Sequence, residues 1–146
     1  MEEKNFFDIY KDAMTKNFSN FEGRARRREY WGFTLINILI IAGYAIFIGI
    51  LMGIFENTAA IFIGYLFMLP LVLYVLAMII PSLAITVRRL HDTNKSGWWW
   101  LIRFIPFGGF ILLIFLVSEG DRGVNLYGLD PKQNNLQNEI SEIGES

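Results

Sequence analysis

Cysteine is absent from the 146 residues and histidine occurs once. Disulfides, thiolate metal sites and cysteine nucleophiles are therefore excluded, and so is a multi-histidine metal centre. Charge is sparing too. The formal net charge is −1, which suggests neither nucleic acid nor an acidic partner. No charged residue falls between Trp31 and Phe55 or between Ala59 and Val87, and the third apolar run, from Trp98 to Val117, contains no carboxylate. Site chemistry needs several convergent groups, so no catalytic residue, metal site or cofactor is expected.

What the chain has in quantity is apolar surface: 53% of its residues are hydrophobic and 16% aromatic. A soluble domain of this length buries too small a fraction of its surface to hide that much, whereas a bilayer solvates it. The expected class is an all-α integral membrane protein. The first apolar run starts near Trp31, behind a mostly polar segment, and is too long for the core of a cleaved signal peptide.

Within residues 1–20, Phe6, Ile9, Tyr10, Ala13, Met14 and Phe18 recur at helical spacing, with Lys and Asp on the other faces. This predicts an amphipathic helix, lying in the headgroup layer or packed on the protein's own cytoplasmic face. Arg24, Arg26, Arg27 and Arg28 then precede Tyr30 and Trp31, the order of a chain passing from headgroups into hydrocarbon. Spans are expected over about 31–55, 59–80 and 98–117, each long enough to cross a core of ~30 Å at ~1.5 Å per residue. Gly49 and Gly53 give the first span a small-residue face that should pack against the next helix.

The second apolar run is too long for one crossing. Pro81 is therefore expected to end the span and to start a short interfacial helix. Glu56-Asn57-Thr58 makes a tight hairpin between the first two spans. The third run contains Arg103 and is softened by Pro106, Gly108 and Gly109, so a re-entrant hairpin is the alternative to a third crossing. Residues 21–131 form the membrane domain, and the acidic tail over 132–146 has too little apolar content to fold alone.

Lys and Arg number seven in the amino-terminal segment, none in the first hairpin, three in the middle segment and two in the tail. The excess places the amino terminus and middle segment in the cytoplasm. With three crossings the tail lies outside.

At the two arginine-rich junctions the chain resembles the domain of unknown function 805 family, the YhaH-like small bacterial inner-membrane proteins. The matching residues are Phe21, Gly23, Arg24, Arg27, Tyr30 and Trp31, then Pro81, Ala84 and Arg88-Arg89-Leu90-His91-Asp92. Ser96-Gly97-Trp98-Trp99, Ile105-Pro106, Asn125, Tyr127-Gly128 and Asp130-Pro131 complete the pattern. The resemblance implies a multi-pass module of the inner (plasma) membrane without an assigned biochemical activity. Arg103 is not expected from the pattern.

Two constellations carry candidate chemistry. Arg24, Arg26, Arg27, Arg28, Arg88, Arg89 and His91 meet on one face if the first two spans form a hairpin, and they could hold an anionic headgroup. The simpler role is fixing topology while pairing with Glu22, Glu29 and Asp92. Asn37 and Arg103 are polar groups within apolar runs. They are candidates for an intramembrane polar site, although the Arg103 stem is long enough to snorkel. His91 and Asp92 are adjacent on a helix and point about 100° apart, so they form no dyad with each other. The expected role is a non-catalytic scaffold or lipid-associated accessory protein. A transport or small-channel subunit and an enzyme acting on headgroups are the alternatives. Expected partners are anionic lipids, with a membrane-protein partner or a second copy of the chain as further candidates and no nucleic acid.

Overall fold

The computed structural model describes residues 5–54 and 58–132. The first turn of the expected hairpin at Glu56-Asn57 and the acidic tail from residue 133 onward lie outside them. The described residues are helical throughout, apart from loops and an isolated antiparallel bridge between Asn125 and Gly128. Among the described residues there are four α-helices, α1 (Phe6–Met14), α2 (Arg27–Ile54), α3 (Thr58–Asp92) and α4 (Gly108–Val117), with a 3-10 helix at Gly97–Phe104 before α4.

Helix α1 starts where Asn5 accepts a hydrogen bond from the Asp8 amide at 2.8 Å, with the Asp8 carboxylate in the first turn. Such a cap satisfies an orphan amide and the acid complements the helix dipole. Ile9 and Ala13 are buried, and the Tyr10 ring stacks on Phe33 of α2 at 5.5 Å. The apolar stripe read from the sequence therefore packs on the protein itself, while Phe6 and Phe7 remain exposed.

Helices α2 and α3 are both long and apolar enough to cross a membrane. Only 6% of the most apolar window of α2 and 11% of that of α3 is buried, which separates them from core helices of a soluble protein. Leu39, Ile46 and Leu66 are each more than three-fifths exposed. A Cβ at Gly49 or Gly53 would meet nothing within 4 Å. The expected packing of that small-residue face on the next helix is thus not formed among the described residues.

The sequence expectation for Pro81 is corrected. Helix α3 runs through both Pro70 and Pro81 to Asp92, without the break near residue 80 or the separate short helix. A proline inside a helix costs ~3 kcal/mol. Past Pro81, however, Ile85 is 2% exposed and Leu90 is fully buried. Burying each such side chain returns ~1.5–3 kcal/mol, so continuing the helix is favoured.

The third apolar run departs further from expectation, for no single helix forms over residues 98–117. The Lys95 amide bonds to the Leu90 carbonyl at 2.9 Å, turning the chain off the end of α3. Ser96 then caps the 3-10 helix, and the chain reverses at Ile105–Phe107. Phe107 has a left-handed φ of 64°. A Cβ on Gly108 would lie 1.8 Å from the Ile102 carbonyl oxygen, so the reversal closes only with glycine there. Helix α4 has ten residues and rises ~15 Å, about half of a ~30 Å hydrocarbon core. It returns to the end of α3 from which the 3-10 helix left.

The buried clusters sit at this charged end. One joins Ala13, Ala25, Phe33, Met78 and Ile85, and the other joins Leu90, Leu112 and Leu116. The protein packs its core around α3's last turns and leaves the apolar shafts of α2 and α3 uncovered.

Candidate functional site

The last turn of α3 carries Arg89 and Asp92 three residues apart on one face, where i and i+3 side chains meet. The loop before α2 crosses this turn, pinned by a hydrogen bond from the Ala25 amide to the Arg88 carbonyl at 3.0 Å. It thereby delivers Arg24. Asp92 accepts from Arg24 Nε at 2.9 Å through Oδ1 and from Arg89 Nη1 through Oδ2. The side chains of Arg24, Arg89 and Asp92 are 1%, 0% and 8% exposed. One carboxylate thus lies between two buried guanidiniums.

The surplus positive charge is met by carbonyl oxygens. Arg89 donates to Leu116 at 3.1 Å and to Ser118, which are carbonyls at the end of α4 that no further helical turn could satisfy. Arg24 donates to Gly123 at 2.7 Å and to Asp121. Arg26 reaches the Pro131 carbonyl. The Asp121 amide in turn bonds to the Asp92 carbonyl at 2.8 Å. Residues 118–131 therefore form a strap bound across the collar of arginines. The strap passes so close that a Cβ at Gly120 would lie 2.0 Å from Asp92 Oδ2.

His91 is fastened into the same assembly. Its Nδ1 lies 3.1 Å from the Gly23 carbonyl, which requires that nitrogen to donate, and its ring stacks on Tyr127 at 3.8 Å. Asn125 Nδ2 donates to the His91 carbonyl at 2.8 Å. Burial lowers the His91 pKa from 6.5, with the Gly23 hydrogen bond opposing. Burial also opposes ionisation of Asp130, yet the Lys132 and Gly123 amides, with Arg24, hold its pKa below the ordinary value.

The expected cluster therefore divides. Arg24, Arg89 and His91 join in one network. Arg88 points the other way, toward α1, and lines a cavity of about 140 Å³ with Asp12, Asn17 and Glu29. Burial lowers the Arg88 pKa, and Glu29 partly offsets this. Arg27 lies 3.6 Å from Glu119 at the surface, and Arg28 sits over the Phe6 ring. Between collar and strap about 30 Å³ remains, room for a water or two.

Asn37 and Arg103, far apart in sequence, line one groove of about 340 Å³ between α2, α3 and the 3-10 helix. The Asn37 amide is committed there, donating to the Phe33 carbonyl at 2.9 Å and accepting from Tyr74 at 2.7 Å. Arg103 lies over the Trp100 ring at 5.2 Å. Sequence reasoning missed the tyrosine chain from Asn37 through Tyr74 to Tyr10, whose hydroxyls are 3.0 Å apart. It also missed the strap carbonyls, because a backbone acceptor has no residue signature. Tyr127 and Asp130-Pro131 were visible as motif residues without a role.

Residues 18–129 match the family described as "Protein of unknown function (DUF805)". Among curated proteins the chain is 44% identical over 121 residues to "Inner membrane protein YhaI" of Escherichia coli strain K12, covering 82% of this chain and 92% of that one. It is 39% identical over 118 residues to "Inner membrane protein YhaH" of the same strain, covering 80% and 91%. No solved structure matches.

Proposed function

The chain belongs to the DUF805 family of proteins of unknown function, and from that membership we propose that it is a non-catalytic, lipid-associated accessory protein of the bacterial inner membrane. In this reading α2 and α3 cross the bilayer, and the 3-10 helix and α4 form a re-entrant hairpin. Helix α1, the collar and the strap are cytoplasmic. The carrying observation is that both ends of the third apolar segment meet at the last turn of α3, with the α4 end held by Arg89.

Charge distribution supports this arrangement over three crossings. Twelve of the thirteen Lys and Arg lie in the amino-terminal segment, the middle segment and the tail, and the sequence between α2 and α3 has none. Two crossings put all twelve on one side, as the positive-inside rule favours. Exposed Phe6 and Phe7 let α1 rest at the cytoplasmic interface while its inner face packs on α2. The occupied Asp92 carboxylate and the fastened His91 ring support a structural role for these groups over proton transfer. A reporter active only in the cytoplasm, fused after Lys132, is expected to be active; silence there would return the three-crossing arrangement. A transport subunit is the second reading, supported by Asn37 and Arg103 sharing one groove. Flux in reconstituted vesicles that Arg103→Leu abolishes would favour it.

A further inference from the structure

Arg103 differs from the collar arginines in what surrounds it. Arg24 and Arg89 direct their donors to Asp92 and to backbone carbonyls. Arg103 instead lies against an aromatic face and lines a groove whose other walls include Ile41, Val75, Met78 and Ile79. A guanidinium carries five donors and no acceptor, and at a bilayer it is stabilised by an anionic headgroup within its reach.

The groove is polar toward the charged end of α3 and mostly apolar deeper, where the Asn37 amide is taken up by the Phe33 carbonyl and the Tyr74 hydroxyl. Thr86 and Ser82 line it toward the charged end of α3, and Val75 lines it deeper. The helical rise from Thr86 to Val75 is ~16 Å, close to the hydrocarbon depth of a single leaflet. Val75 and Ile79 are 43% and 48% exposed, so the apolar wall can be reached sideways from the bilayer. Its volume falls in the range of ~300–1,000 Å³ usual for small-molecule sites.

We propose that this groove binds one anionic phospholipid of the cytoplasmic leaflet, with the phosphate on Arg103 and an acyl chain along Ile41, Val75, Met78 and Ile79. The proposal rests on the two-crossing reading, which sets the charged end of α3 at the cytoplasmic headgroups. It moves the lipid contact from Arg24 and Arg89, whose donors go to Asp92 and to backbone carbonyls, to a residue outside that network.

The test is native mass spectrometry of the full chain, purified in mild detergent and exchanged into phosphatidylglycerol–phosphatidylethanolamine mixtures. The wild type should retain one phosphatidylglycerol at least tenfold more tightly than phosphatidylethanolamine. Arg103→Leu should lose this preference, and Arg103→Lys should keep part of it, because Lys offers charge without the planar fork. Ile79→Trp, which fills the apolar wall and leaves Arg103 in place, should reduce retention at least severalfold. Excess inorganic phosphate should not displace the bound molecule; displacement would mean that a free anion, and not a lipid, is recognised. Equal retention by Arg103→Leu and wild type would overturn the proposal, as would loss caused by Arg26→Lys and not by Arg103→Leu. Helical content and thermal unfolding, measured on each variant, separate lost binding from lost fold. If the Lys132 fusion is active and no lipid is retained, the groove proposal fails alone. A silent fusion removes the topology beneath it.

Discussion

Replacing Asp92 with Asn would leave two guanidiniums, 1% and 0% exposed, facing a neutral amide. Breaking a buried pair by removing one partner costs ~3–5 kcal/mol, because the remaining charge is uncompensated. The low end applies here, since Arg24 keeps its bonds to Gly123 and Asp121, and Arg89 keeps those to Leu116 and Ser118. About 3 kcal/mol corresponds to roughly a hundredfold change in the equilibrium between docked and released strap. Hydrogen exchange reads that equilibrium directly, because the Asp121 amide is held by the Asp92 carbonyl at 2.8 Å. In nanodiscs, Asp92→Asn is expected to speed exchange at Asp121 by roughly a hundredfold while amides of α2 are unchanged, as local opening is independent of global unfolding. In the Asp92→Asn background, Arg24→Gln should cost less than in the wild type, since the two residues share one interaction. Unchanged exchange at Asp121, or fully additive effects of the two substitutions, would refute the reasoning.

Two further outcomes follow from the same assembly. Gly120→Ala sets a methyl group 2.0 Å from the Asp92 carboxylate oxygen and should release the strap much as Asp92→Asn does; wild-type exchange at Asp121 would show that the strap can shift to admit it. The pKa of His91 is lowered by burial when the strap is docked, so the released state binds the proton more readily. Docking is then at full strength above 6.5 and weakens as pH falls below it. Titration of the His91 ring by NMR should give a midpoint below 6.5 that moves up toward it in Asp92→Asn, and a wild-type midpoint at or above 6.5 would contradict the stacked, half-buried ring.

The two long helices are legible in the sequence because uncharged runs of their length have few other uses. Their ends are less so. Pro81 reads as a stop from its local cost, but the burial of Ile85 and Leu90 that outweighs it is a tertiary effect. The Pro106-Phe107-Gly108-Gly109 sequence is recognisable as a weak point in the third run. Whether it kinks a crossing helix or reverses the chain depends on what α4's end can bind, and that is set by Arg89 from the end of α3. Asp92 is within view as an acidic partner for the arginines. Its sharing between Arg24 and Arg89 requires knowing that the loop before α2 crosses the end of α3. Asn37 and Arg103 stand out individually as polar residues in apolar runs. The groove that joins them exists only because the 3-10 helix folds back beside α3.

The central claim is that the third apolar segment turns back, so that helix α1 and the strap share one side of the membrane. The chain has no native cysteine, which permits single-cysteine labelling without background. The Lys16 side chain, just past α1, is 78% exposed and Leu126 is 85% exposed on the strap, so Lys16→Cys and Leu126→Cys can each be probed with a membrane-impermeant maleimide. Both should be labelled in inverted inner-membrane vesicles and neither in intact spheroplasts. Labelling of Leu126→Cys from the outside of intact spheroplasts, with Lys16→Cys still protected, would contradict the account.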